Sequence, residues 1–116
     1  MQKILALFAF VLLALPALNA QSARKVEVFF QHSHTKTDLM NIKAELAAQK
    51  ILLDYTQMVF DAEGHLVELE FSVDCQDGFK GTAASSNVPD DFSFGFIRDY
   101  RQGVEVAFAL GKVSKE

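Results

Sequence analysis

The chain has 116 residues, half of them hydrophobic, with 11 Lys+Arg against 15 Asp+Glu, one Cys, no Trp and a formal net charge of -4. That is one domain's worth of chain, and its composition excludes a polytopic membrane protein, a disordered chain, a disulfide scaffold and a basic nucleic-acid binder. The apolar excess is local: 16 of the first 20 residues are hydrophobic against 42 of the remaining 96, an ordinary share for a globular domain.

Met1-Gln2-Lys3 carries one positive charge, residues 4–15 are an unbroken apolar run, Pro16 breaks it, and Ala17-Leu18-Asn19-Ala20 places a small residue before a polar stretch. This is the three-part layout of a secretory signal peptide. A membrane anchor is the rival, but residues 4–18 fall short of the about 20 apolar residues a spanning helix needs. The expectation is therefore a signal peptide over 1–20, with Ala23 as the alternative last residue removed, and one domain over 21–116. The product is periplasmic or secreted, with no membrane anchor after cleavage. Losing Lys3 leaves 10 basic and 15 acidic side chains, a balance of -5 that disfavours nucleic acid and acidic membrane as partners. The lone Cys75 provides no internal disulfide, so an exported domain of this size must rely on packing.

Val26, Val28 and Phe30 alternate with Glu27, Phe29 and Gln31, which predicts a strand over 25–32. The period then changes. Leu39, Ile42 and Leu46 recur at spacings of three and four, predicting an amphipathic helix over 38–49 with Thr35 or Thr37 as N-cap. Thr35 followed three residues on by Asp38 fits a capping pattern. Ile51, Leu53, Tyr55 and residues 58–60 form a second extended run, closed by the hairpin connection Asp61-Ala62-Glu63-Gly64. Val67, Leu69, Phe71 and Val73 then alternate with Glu68, Glu70, Ser72 and Asp74, a strand with one apolar and one wet face. Asp77-Gly78 suits a two-residue primed turn into a weakly patterned segment over 79–85, an edge strand or a loop. Phe92-Ser93-Phe94-Gly95-Phe96 reads as a further strand. Gln102-Gly103 reads as a turn before 104–110, where a strand is expected and a helix is the alternative.

A strand, a helix and a second strand in succession favour a right-handed crossover with the two strands parallel. The expected fold is α+β, a two-layer sandwich of one amphipathic helix on a mostly antiparallel sheet of 4–6 strands, in the order β-α-β-β-β. Leu39, Ile42 and Leu46 then cover Val67, Leu69, Phe71 and Val73. The opposite sheet face is kept wet by its carboxylates, crossed by the aromatic C-terminal segment, or covered by another subunit.

Thr37-Asp38, Ile42-Lys43-Ala44-Glu45-Leu46, Ile51, Tyr55 and Asp61-Ala62-Glu63-Gly64-His65-Leu66 followed by Leu69-Glu70-Phe71 stand in a recognisable order. Over about half the chain, residues 26–79, this resembles a small β-α-β-β module of exported Bacteroidetes proteins. It is similar to the C-terminal, extracytoplasmic regions of antibiotic-sensing-type membrane metallopeptidases. The resemblance implies a periplasmic binding or interaction module. Lys50 stands where that pattern has a helix-ending Gly, and the chain lacks a His-Glu-x-x-His motif, so zinc-protease chemistry does not carry over.

Several residues invite chemistry. His32 and His34, two apart on a strand, would point to one side and supply two ligands to a Zn²⁺ or Cu²⁺, with a third from His65, Cys75 or a carboxylate. A polar strand end leading into a helix cap is the plainer reading and the one favoured. Cys75 with His65 and Asp74 has the residue types of a nucleophile, base and orienter, but the neighbouring acids raise a thiol's pKa; a strand-end thiol able to form an intermolecular disulfide is favoured. Glu68, Glu70 and Asp74 offer paired carboxylates for glycoside hydrolysis, and an alternating solvated strand produces the same pattern. Phe29, Phe92, Phe94, Phe96 and Tyr100 are either core or an exposed strip that marks a partner surface. No catalytic residue and no cofactor is expected. The reading that follows is a non-enzymatic binding module recognising a protein or peptide through its sheet face or edge. A small metal- or Cys/His-dependent hydrolase and a homodimeric structural domain are the alternatives.

Overall fold

A computed structural model describes residues 24–113; the expected signal peptide, with both cleavage positions Ala20 and Ala23, and residues 114–116 lie outside them. The described chain runs β1 (Lys25–Phe29), α1 (Lys36–Ala47), β2 (Leu52–Phe60), β3 (Leu66–Asp74), β4 (Lys80–Ser85), β5 (Phe94–Asp99) and β6 (Phe108–Lys112). The α+β class holds. The single sheet does not: the strands form two antiparallel three-stranded sheets, ordered β1-β5-β6 and β2-β3-β4. The expected parallel crossover is absent, because β1 pairs with β5 in an antiparallel register from Lys25 opposite Asp99 to Phe29 opposite Gly95. The local pattern of β1 was legible, but its partner lies about seventy residues downstream, beyond the reach of periodicity.

Helix α1 begins where Thr35 caps it. Asp38 N–H donates to Thr35 Oγ1 (3.3 Å), while Thr35 N–H donates to Asp38 Oδ2 (2.9 Å), a reciprocal capping box. It ends in a Schellman closure: Ile51 N–H donates to Leu46 O and Lys50 N–H to Ala47 O, with Lys50 at φ 68° and the apolar pair Leu46 and Ile51 buried behind it. The helix packs beside β2, where Tyr55 Oη–H donates to Leu39 O at 2.7 Å and Lys43 pairs with Asp54 at 3.5 Å. Arg24 donates to Gln49 Oε1 on the β1 side. Thus α1 lies in the seam between the two outer strands, β1 and β2.

The β2–β3 hairpin carries two register shifts, at Tyr55/Gln57 and Val59/Phe60. The second changes which residues face inward: Leu66 and Leu69 are buried while Val67, expected in the apolar row, is left between them. Phe71 and Val73 are buried as expected, and Glu68, Glu70, Ser72 and Asp74 stay half exposed on the other face. A two-residue turn at Asp77-Gly78 is not formed. Asp74 pairs with Lys80 and Cys75 N–H donates to Phe79 O, so the connection is five residues long, with Gln76 and Gly78 at positive φ. Strand β4 is an outer strand of its sheet, as its weak pattern implied. Strand β6 starts at Phe108, four residues later than expected, because Asp99 N–H bonds to Ala107 O only after a wide loop.

Four aromatic side chains join the sheets. Phe30, Phe71 and Phe96 are fully buried and Phe94 nearly so. Phe71 meets Phe30 at 4.9 Å between ring centres and Phe94, edge-on, at 5.6 Å. Each such ring contributes about 1.5–3 kcal/mol by leaving water. Helix and aromatic strands therefore share one face of the β2-β3-β4 sheet, and its carboxylate face remains wet.

Arg98, 8 % exposed, ties the parts together. Its guanidinium lies over the rings of Phe79 (4.5 Å) and Tyr100 (4.3 Å). It donates to Asp77 Oδ2 from Nε (3.0 Å) and Nη2 (2.7 Å), and from Nη1 to Asp99 O and Ala107 O. A buried charge is tolerated when it is paired and its donors are used.

Candidate functional site

The two histidines of the first strand part company. The chain leaves β1 after Phe29 and turns at residues 32–33, so the two-residue alternation that would align His32 with His34 no longer applies. His34 is partly buried at the groove between β1 and α1: Gln31 N–H donates to its Nδ1 at 3.0 Å, and burial pushes its pKa down against the opposing charges of Asp38 and Asp90. It is a helix-entry histidine and joins no ligand set.

His32 instead meets Asp61 and His65. Leu66 N–H donates to His32 O (3.0 Å), and His32 Nδ1 lies 2.7 Å from Leu66 O. A carbonyl only accepts, so Nδ1 carries a proton, and in the neutral ring it is Nε2 that keeps the lone pair. That Nε2 is 3.6 Å from Asp61 Oδ2. Asp61 opens the β2–β3 turn, where its Oδ1 accepts from Glu63 N–H (2.9 Å) and His65 N–H (3.0 Å). Its main chain is closed by Asp61 N–H donating to His65 O, with Gly64 at φ 83° completing the turn. The backbone bond to His65, then Asp61's desolvation acting against it, leave the carboxyl below its ordinary pKa. One donor atom from each of His32, Asp61 and His65 lies within 4.8 Å of the others, and all three residues are partly exposed. Among the described residues this is the one such group of three metal-ligating types. Sequence reasoning named His32 and placed His65 among the possible third ligands. It missed Asp61, whose only signal was its position at the start of a Gly-containing turn.

The aromatic strip divides. Phe94 and Phe96 are core and form no surface, because the two sheets close over their side of β5. Tyr100 is half buried with Arg24 5.1 Å and Arg98 4.3 Å from its ring centre. Phe92 is 46 % exposed at φ 58°, held there by donating its N–H to Gln31 Oε1 (2.9 Å), and it meets Phe29 edge-on at 6.1 Å. Cys75 is buried, which withdraws it from an intermolecular disulfide. Burial first, then Asp77 and Asp74, raise its thiol pKa to about 11, with Arg98 acting the other way.

The second feature is an open groove of about 300 Å³ between β1 and α1, with Glu27, Val28 and Phe29 on one wall and Ile42, Glu45 and Gln49 on the other. Strand β1 is outermost in its sheet. Phe30 N–H donates to Phe94 O and Tyr100 N–H to Arg24 O, so the even-numbered residues face β5. The main-chain N–H and C=O of Glu27 and Phe29 therefore point away from it, toward the groove.

No protein family, no curated protein and no solved structure matches this chain.

Proposed function

We propose that the chain is a non-enzymatic, exported binding module that takes up an extended polypeptide segment along the outer edge of β1. The observation that supports this is the outward row of main-chain groups at Glu27 and Phe29 beside a groove walled by α1. Strand addition at a sheet edge draws affinity from such main-chain hydrogen bonds and specificity from alternate side chains. Glu27, Phe29, His34 and Glu45 line the groove, and the exposed Phe92 packs edge-on against Phe29. The segment it fits is therefore extended, with alternate apolar residues and a basic side chain facing Glu45, since Glu27 is already paired with Lys25 at 3.3 Å. The signal-peptide layout and the resemblance to extracytoplasmic modules agree with a partner met outside the cytoplasm.

Glu27→Pro tests this reading directly. Proline removes the outward N–H at 27 and leaves the even-numbered bonds to β5 intact, a placement edge strands tolerate. Segments selected by peptide display should bind the parent protein and lose at least about tenfold in affinity to the variant, the worth of one well-made hydrogen bond. Selection that enriches no segment, or equal binding by a folded Glu27→Pro protein, overturns it. A dimer in sedimentation that Glu27→Pro dissolves would instead assign the edge to a second copy of the chain.

A further inference from the structure

We infer that His32, Asp61 and His65 form a binding site for a divalent first-row transition ion, with Zn²⁺ as the probe of choice. The inference goes beyond the strand-edge reading and does not depend on it. Bonds of about 2.0–2.2 Å at tetrahedral angles hold donor atoms about 3.3–3.5 Å apart. His32 Nε2 and Asp61 Oδ2 already stand at 3.6 Å, and the full set lies within 4.8 Å, a spread that rotamer adjustments of partly exposed side chains close.

The supporting bonds are those a metal site needs. His32 is oriented by its Nδ1–H to the Leu66 carbonyl, the outer-shell contact that fixes a ligating imidazole's tautomer. Asp61 spends Oδ1 on the turn's two N–H groups and leaves Oδ2 for a cation. His65 is carried by that same turn, with Glu63 Oε1 3.7 Å from its Nδ1. Two imidazoles with one carboxylate favour zinc and its neighbours over Ca²⁺ or Mg²⁺, which take oxygen donors. Three protein ligands leave a position for water or for a side chain of a partner.

The site also has a mechanical consequence. His32 follows β1 of one sheet, while Asp61 and His65 close the β2–β3 turn of the other. An ion held by all three would cross-link the two sheets in a chain whose single Cys forms no disulfide, and would raise thermal stability by binding only the folded form.

Titration calorimetry of the untagged protein with Zn²⁺ should show one saturable site, accompanied by a rise in Tm and by a shift of the His32 Nε2 resonance in long-range ¹H–¹⁵N spectra. His32→Ala and His65→Ala should each weaken binding by more than about tenfold. Asp61→Asn keeps the acceptor for the Glu63 and His65 N–H groups, so the turn survives while affinity falls. His34→Ala should bind as the parent does. Absence of saturable heat in the folded parent, or loss of binding in His34→Ala with retention in His65→Ala, would overturn the inference.

Discussion

At Gly95 the strands β1 and β5 approach so closely that a Cβ would lie 1.8 Å from the Val28 carbonyl oxygen and 2.9 Å from Phe29 Cα. The obstacle is backbone, which cannot rotate aside. Gly95→Ala should therefore destabilise the protein by more than about 3 kcal/mol, read as a fall in denaturant midpoint, because separating the strands also unpacks Phe94 and Phe96 on either side. The sequence showed only a small residue within an aromatic alternation. Arg98 was equally opaque: in the sequence it is one of the charges of Arg98-Asp99-Tyr100-Arg101. The structure buries it because Asp77, two carbonyls and two aromatic faces converge on it from segments up to twenty-one residues away. His32 and Asp61 belong to the same category, since twenty-nine residues separate them and it is contacts such as the bonds to Leu66 that bring their segments together.

Among the elements, α1 was the most legible, because its signals are local. The Thr35 and Asp38 capping box forms as read, and the helix, Lys36–Ala47, starts and ends two residues earlier than the expected 38–49. Lys50, noted in the sequence as an unusual helix-ending residue, does occupy the left-handed conformation that glycine would normally take, at φ 68°. Its side chain costs free energy there, partly offset by Gln76 Nε2 donating to its carbonyl at 2.9 Å. Lys50→Gly should stabilise the protein by up to about 1 kcal/mol in chemical denaturation, the strain relieved less the entropy glycine adds to the unfolded chain. The strands were found, but their edges moved wherever a bulge or loop intervened. Val67 lost its inward place to the shift at Val59/Phe60, and a period-two pattern continues straight through such a shift on paper.

For the whole molecule, acid should act through aspartates held below their ordinary pKa. Asp99, 5 % exposed, accepts from Arg101 Nη2 (2.7 Å), Nε (2.9 Å) and N–H (3.1 Å). The Arg101 side chain foremost holds its carboxyl down to about 2. Asp38 is lowered in the same direction by its bonds to Thr35. A carboxyl depressed by folding lends its stabilisation in full above the unfolded value of about 3.9 and loses it as pH falls through the folded value. Denaturation midpoints followed by circular dichroism should therefore drop between about pH 4 and pH 2, and Asp99→Asn should flatten part of that slope. An unchanged slope in the variant would remove Asp99 from the account.

Periodicity, caps and turn residues act over a few positions, so the chain by itself determined its α+β class, one helix with its cap, and the approximate place of each strand. Which strands pair, and that they make two sheets with α1 in the seam between β1 and β2, was decided by packing: Phe30, Phe71 and the pair Phe94 and Phe96 come from segments far apart in sequence and are buried together in one core. The same assembly withdrew Phe94 and Phe96 of the aromatic strip from the surface, parted His34 from His32, and set His32 against Asp61 and His65. Each of those outcomes rests on a long-range contact whose free energy exists only once both sides are folded.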